Sequence, residues 1–233
     1  MNLTTEEKAI GFETVSDSYT LTVSDIPVFD LRSSNLTLVL KRVIDLLGAS
    51  VLLILLAPLL FIVAALVKMS SPGPVFFRQK RLGLYVEPFR MWKFRTMVPQ
   101  AQSQEESLRR SQGNVFFKIK NDPRITPMGR FLRRYSLDEL PQLINVLTGE
   151  MSLVGPRPLL PFEIQRFSRR EPFLRFMMKP GLTCIWQVSG RSRTSDADRI
   201  RYDLEYVSHW SLVLDFKLLF KTIPAVLKGD GAV

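Results

Sequence analysis

The segment LKRVIDLLGASVLLILLAPLLFIVAALVK, Leu40 to Lys68, decides what kind of protein this is. From Leu46 to Val67 it runs 22 residues without a charge. A straight helix of that length would extend about 33 Å, enough to cross the hydrocarbon core of a bilayer. Its flanks complicate a simple span. Lys41 and Arg42 precede the run, Lys68 follows it, and Arg78, Lys80 and Arg81 come soon after, so the cytoplasmic preference of cations applies to both ends. Pro58, near the middle, removes one backbone hydrogen bond and crowds the carbonyl of Ile54. These features predict a re-entrant helical hairpin over 37–70 that dips into one leaflet and returns; a kinked spanning helix is the alternative. The segment lies too far from the N-terminus, and lacks the small-residue cleavage pattern, for a secretory signal peptide.

Working outward, residues 1–36 are polar and rich in Ser and Thr, and read as a flexible arm with one short strand near Tyr19 to Val23. Beyond Ser70 the pattern predicts a β-hairpin turning around Gly83, a short exposed helix over 101–112, and a helix from Pro127 to Arg134. A further helix from Ser136 to Thr148 should stop at Gly149. The expected fold is α+β: a membrane hairpin, a small β-hairpin and several amphipathic interfacial helices around a basic active site. Residues 71–233 would form a cytoplasmic catalytic domain at the membrane interface. In LLPFEIQRFSRREPFLRFMMK, Phe162, Phe167, Phe173 and Phe176 alternate with arginines, which suits an interfacial helix; core packing is the alternative.

Composition limits the chemistry. A formal charge of +10 over 233 residues calls for an anionic partner: nucleic acid, an anionic membrane face or a phosphorylated substrate. With Cys184 the single cysteine and His209 the single histidine, intramolecular disulfides, zinc sites and most Cys/His catalysis are excluded. Any metal should be a hard ion held by carboxylates and phosphates.

RRYSLDELPQLINVLTGEMSLVGPRP, Arg133 to Pro158, holds the candidate chemistry. Asp138 and Glu139 are adjacent, about 100° apart on a helix, so they cannot share one face as i and i+4 partners would. A local reading exists: Ser136 and Glu139 form a capping box, with Asp138 favouring the positive helix end. Against it stand Arg124, Arg130, Arg133, Arg134 and Arg157, with Lys118 and Lys120 just before them. That excess of cations suits a phosphate or diphosphate. Asp138 could then act as a nucleophile on phosphorus, with Glu139 and Mg²⁺ managing charge. Two prolines in Gly155-Pro156-Arg157-Pro158 would present Arg157 with little entropy left to lose.

These stretches, with FRMWKFRTM, DPRITPMGRFLRR and KPGLTCIWQVSGR, resemble the bacterial sugar transferase family, the small monotopic phosphoglycosyl transferases. The resemblance runs from about Lys41 to the C-terminus. It implies transfer of a sugar 1-phosphate from a UDP-sugar to polyprenyl phosphate through a covalent phosphosugar-aspartate, with Mg²⁺ required and UMP released. Asp138 would be the nucleophile and Glu139 its partner, both near the metal. Substrate binding would fall to Lys93, Arg95, Arg133, Arg134, Arg157, Gln187 and Arg191. Pro58, with Lys41 and Arg42, would set the re-entrant helix in the bacterial inner membrane, its cationic ends against anionic lipid of the cytoplasmic leaflet. The product would pass to downstream glycosyltransferases. WQVSGR is similar to exopolysaccharide-type members, which suggests UDP-glucose or UDP-galactose. Cys184 departs from the usual glycine after KPGLT, which matters only if that position needs positive φ.

The remaining candidates have plainer readings beside them. Lys179, Gln187, Arg191 and Arg193 suit diphosphate or uridine contacts, or form a solvated basic loop. His209 reads as structural; Asp196, Asp198 and Asp203 read as helix-start or surface acids, one of which could be drawn toward the site. A membrane-anchored nucleic-acid-binding protein or a non-catalytic scaffold would account for charge and hydrophobicity. Neither explains the paired acids, and no recognition helix or stacking platform is present, so no nucleic-acid partner is expected.

Overall fold

The computed structural model describes residues 35–99, 101, 122–164, 171–190 and 194–229. Residues 1–34, nearly all of the helix expected over 101–112, Phe167, Arg191 and Arg193 lie outside these.

The apolar segment forms one helix, α1 (Asn35–Ser70), which continues through Pro58. A proline costs a helix interior one hydrogen bond, and the leucine-rich flanks are strong helix formers, so a bend is within reach without a break. The hairpin expected from the sequence is therefore a single helical element. Among the described residues it is the one helix long and apolar enough to cross a membrane. Most of its surface is bare; Ile54 is 74% and Phe61 80% exposed.

The rest packs against one stripe of α1. Strands β1 (Phe76–Leu82) and β2 (Pro88–Phe94) form the expected antiparallel hairpin, in register from Phe76 opposite Phe94 to Leu82 opposite Pro88. Its connection does run through Gly83, but the left-handed residues are Tyr85 and Val86, at φ 53° and 66°. Helix α2 (Pro127–Arg134) begins under a Thr126 cap. A 3-10 turn (Leu137–Gln142) leads into α3 (Leu143–Thr148), closed by left-handed Gly149. The single helix expected over Ser136–Thr148 is thus two pieces. Pro141 lacks the amide needed for a regular α-helical ladder, and the tighter turn results.

Strand β3 (Ser152–Val154) pairs in parallel with β4 (Gly181–Thr183). Short helices α4 (Pro161–Ile164) and α5 (Ile185–Val188), and a 3-10 turn at Glu171–Met177, precede α6 (Asp196–Ser208) and α7 (Leu212–Lys228). A Cβ on Gly181 would lie 2.0 Å from the nitrogen of Gly155, so this crossing of backbones excludes any side chain there. Cys184, by contrast, is fully buried in extended backbone at φ −159°, where any residue fits.

Three expectations about the membrane face change. Lys41 is buried, its Nζ 2.6 Å from Asp215 Oδ2 and donating to Val154 O at 3.0 Å. Arg42 donates to the carbonyls of Val146 (2.6 Å) and Leu147 (2.9 Å) at the end of α3. A buried carboxylate and the orphan carbonyls of a helix C-terminus claim these cations from lipid headgroups. Phe173 and Phe176 are buried with Leu82 and Leu159, a core cluster and not an interfacial face. The amphipathic stripe sits on α7 instead, where Val213, Phe216, Phe220, Ile223 and Leu227 are exposed at helical spacing.

Candidate active site

Ser136 adopts left-handed backbone at φ 55° and its side chain makes no capping bond. The capping box read from the sequence is absent. What joins the two acids is Lys93, which β2 aims inward: its Nζ donates to Glu139 Oε1 at 2.7 Å and lies 3.9 Å from Asp138 Oδ2. Successive residues of a 3-10 turn diverge by about 120°, so the pair converges only through this shared cation. Arg157 Nη2 approaches the same Glu139 oxygen at 3.6 Å. Arg133, at the end of α2, is oriented by a 3.0 Å bond from its Nε to Thr96 Oγ1. A Cβ on Gly129 would lie 2.0 Å from the Thr96 carbonyl, so the missing side chain lets α2 press close enough for that bond.

These groups border an open cavity of about 740 Å³, which also touches Trp186, Gln187 and Asp203. Burial pushes the Asp138 carboxyl above its ordinary range, against the pull of Lys93. Burial also opposes ionisation of Glu139, but Lys93 and then Arg157 outweigh it and hold that group at about 2. Burial likewise lowers Lys93, partly offset by Glu139 and Asp138. The adjacent acids are therefore unlike: Glu139 stays ionised under all working conditions, whereas Asp138 is the proton-sensitive member.

A pH prediction follows. The acid limb of kcat/KM for any reaction at this site should belong to Asp138, with its midpoint above the 3.8 of an unperturbed aspartate. Rate falls as pH drops through that midpoint. Glu139→Gln should lose rate without removing the limb; a limb that vanishes in this variant would assign it to Glu139.

Other expected residues are placed differently. Arg134 is exposed and lies against Gly229 and the ring of Tyr135. Arg95 touches the cavity wall, but its Nη2 donates to Ser71 O (2.7 Å) and Ser71 Oγ (3.0 Å) at the end of α1. Lys179 lies beside Arg42 near Gly149, and Arg124 is held by Asp122 at 2.6 Å. His209 ends α6 and contacts Glu205 O; Asp196 and Asp198 open the same helix. Asp203 is the acid drawn inward: it pairs with buried Arg175 at the cavity wall.

Sequence reasoning missed Arg81, Thr96, Arg175 and Trp186. Arg81 was accessible through the period-two reading, because it shares with Lys93 the inward face of the hairpin. Trp186 is met by two guanidinium groups, Arg157 at 5.1 Å and Arg199 at 5.4 Å from its ring centre; no local pattern announces that contact.

Comparison with known proteins gives this arrangement a context. The bacterial sugar transferase family profile matches residues 36–229. The exopolysaccharide production protein ExoY of Rhizobium meliloti is 43% identical over 198 residues, covering 82% of this chain and 87% of the relative. A UDP-galactose-lipid carrier transferase of Erwinia amylovora is 47% identical over 199 residues, 83% of this chain and 41% of the relative. A UDP-glucose:undecaprenyl-phosphate glucose-1-phosphate transferase of Escherichia coli is 41% identical over 205 residues, 85% of this chain and 42% of the relative. The chain thus spans most of ExoY and about two-fifths of the longer enzymes. Since the matched span takes in α1, the hairpin, the acidic pair and α7 together, the chain belongs to the bacterial sugar transferase family.

Proposed function

We propose that this protein is a phosphoglycosyl transferase that moves a sugar 1-phosphate from a UDP-sugar to undecaprenyl phosphate, releasing UMP, in exopolysaccharide synthesis. The observation that carries the reading is the convergence of Lys93 and Arg157 on an adjacent Asp–Glu pair, with Arg133 at the wall of the same cavity. The relatives' names supply the substrates: one acts on UDP-galactose, another on UDP-glucose and undecaprenyl phosphate. A nucleic-acid surface would turn its cations outward along a groove; here they face carboxylates.

Asp138 attacks the sugar-bearing phosphorus of the diphosphate, forming a phosphosugar-aspartate as the bond to UMP breaks. A phosphate oxygen of the lipid then attacks the same phosphorus and frees Asp138. Lys93 favours the ionised form of the nucleophile against the effect of burial, while Arg133 and Arg157 offset charge on the diphosphate. Asp138 and Glu139 would hold Mg²⁺, a hard ion that takes one or two carboxylates plus substrate phosphates, and adjacent carboxylates beside an open cavity fit that demand. When bound, the ion neutralises charge on the diphosphate. A panel of UDP-sugars assayed for UMP release with undecaprenyl phosphate tests the reading. UDP-glucose or UDP-galactose should be preferred, and no release with any sugar would overturn it.

The same proposal places the active site at the cytoplasmic face of the inner membrane, with α1 bent at Pro58 and re-entrant. Lys41, Arg42 and Asp45 fix one end of α1 to residues of α3, β3 and α7. The other end is fixed by Arg95, and by packing of Val63 and Val67 on Phe94 and Leu132. Both ends thus belong to one folded body, which supports a helix that returns to its own side. In a Cys184→Ala background, Leu36→Cys and Val75→Cys should both resist a membrane-impermeant maleimide in intact cells. Pro58→Leu should expose position 36 in part of the population. Labelling of position 36 with Pro58 in place would contradict re-entry.

A further inference from the structure

Four consecutive carbonyls in the turn that carries Arg157 are each met by a donor from outside the turn. Pro156 O accepts from Gly181 N at 2.9 Å and Leu159 O from Leu82 N at 2.8 Å. Pro158 O accepts from Arg81 Nη1 at 3.1 Å, and Arg157 O from Arg175 Nη2 at 2.8 Å. Prolines fix their own φ and bias their predecessors, but the direction of the Arg157 peptide still depends on where its carbonyl is held. Of the four donors, Arg175 is the one side chain that grips the Arg157 peptide itself.

Arg175 is in turn locked. It is 3% exposed and ion-paired with Asp203, which is 1% exposed and borders the same cavity. Such a pair is a poor way to gain stability: each desolvated ion costs several kcal/mol, and a well-packed apolar pair often serves as well. Among the described residues Arg175 Nη1 has no hydrogen-bond partner, so the site is not arranged to maximise bonding either. The feature this costly pair delivers is the fixed direction of one carbonyl, one residue's length from the guanidinium that meets Glu139 at 3.6 Å and lies over Trp186.

We propose that the buried Arg175–Asp203 pair is the positioning device for Arg157, holding the Arg157 peptide so that its guanidinium is aimed at Glu139 and the substrate diphosphate. This rests on the reading of Arg157 as a phosphate-binding group. Arg175 and Asp203 touch no reacting atom; they act through Arg157.

The test is a double-mutant cycle on the full chain in lipid nanodiscs, reading kcat/KM for UMP release and the thermal midpoint. Arg175→Lys keeps a charge for Asp203, but a point ammonium cannot reproduce the guanidinium fork that serves both Asp203 and the carbonyl. It should lower kcat/KM by about 10- to 100-fold, the scale of a misplacement near 1 Å. In an Arg157→Ala background the same substitution should cost less than about 3-fold, because there is no longer a guanidinium to aim. An equal loss in both backgrounds would mean a structural role and overturn the proposal. An Arg157→Ala enzyme of near-normal activity would overturn the underlying reading of Arg157, and the positioning role with it. If Arg175→Lys does not fold, Asp203→Asn, which keeps shape while releasing Arg175, must give the same pattern.

Discussion

Asp138→Asn should reduce UMP release by on the order of 10⁴-fold or more while the protein still folds and inserts. The substitution preserves shape and polarity but removes the proposed nucleophile. Its effect on stability should run the other way. Burial raises the Asp138 carboxyl, so the folded state holds the proton more tightly than the unfolded chain. That contribution is complete below 3.8 and is lost as pH rises through the folded value. Ionised Asp138 is thus a charge the native protein disfavours, and replacing it with a neutral amide should raise the thermal midpoint wherever the carboxylate form prevails. Loss of activity together with gain of stability separates a catalytic role from a structural one. Near-normal turnover would refute Asp138 as nucleophile.

Lys93→Met should be nearly as damaging and should destabilise as well. Lys93 is the shared counter-charge of both acids, at 2.7 Å from Glu139 and 3.9 Å from Asp138. Removing one partner of a buried ionic cluster costs roughly 3–5 kcal/mol, and Arg157 at 3.6 Å compensates Glu139 only in part. For a chain of this size each kcal/mol shifts the midpoint by about 2–4 °C, so a drop near 10 °C is expected. Without Lys93, Asp138 should also ionise less readily, moving the acid limb of the pH profile upward. Adding Glu139→Gln to Lys93→Met should recover stability, because it removes the stranded charge, but not activity. A Lys93→Met enzyme with an unchanged acid limb would contradict the electrostatic role of Lys93.

The sequence made the site legible where chemistry is carried by adjacent residues, and obscure where it depends on distant ones. Asp138, Glu139, Arg133 and Arg157 stand in one stretch, and an excess of cations around two acids was enough to single them out. The hairpin was readable from its alternation and Gly149 from its place after a helical run. Arg134 sits beside Arg133 and shares its chemistry, yet the helix turns it outward to Gly229. Lys41 and Arg42 looked like membrane flanks because their partners, Asp215 and the end of α3, lie 174 and more than 100 residues away. The Ser136–Glu139 capping box failed for a local reason with a distant cause: Ser136 takes left-handed backbone, and Glu139 is claimed by Lys93 from the hairpin. Arg175 carried no signal and Asp203 only that of one acid among three that could be drawn inward, since a buried pair is defined only once its two segments meet.

The covalent phosphosugar-aspartate is tested most directly by intact-protein mass spectrometry of the enzyme given its UDP-sugar and Mg²⁺ without lipid. Attack by Asp138 before the lipid arrives predicts a mass increase of one sugar phosphate, at most about one UMP released per active site, and neither signal from Asp138→Asn. Adding undecaprenyl phosphate should then discharge the adduct. If turnover requires both substrates together, with no adduct and no UMP until the lipid is present, the transfer is direct and Asp138 is not the nucleophile.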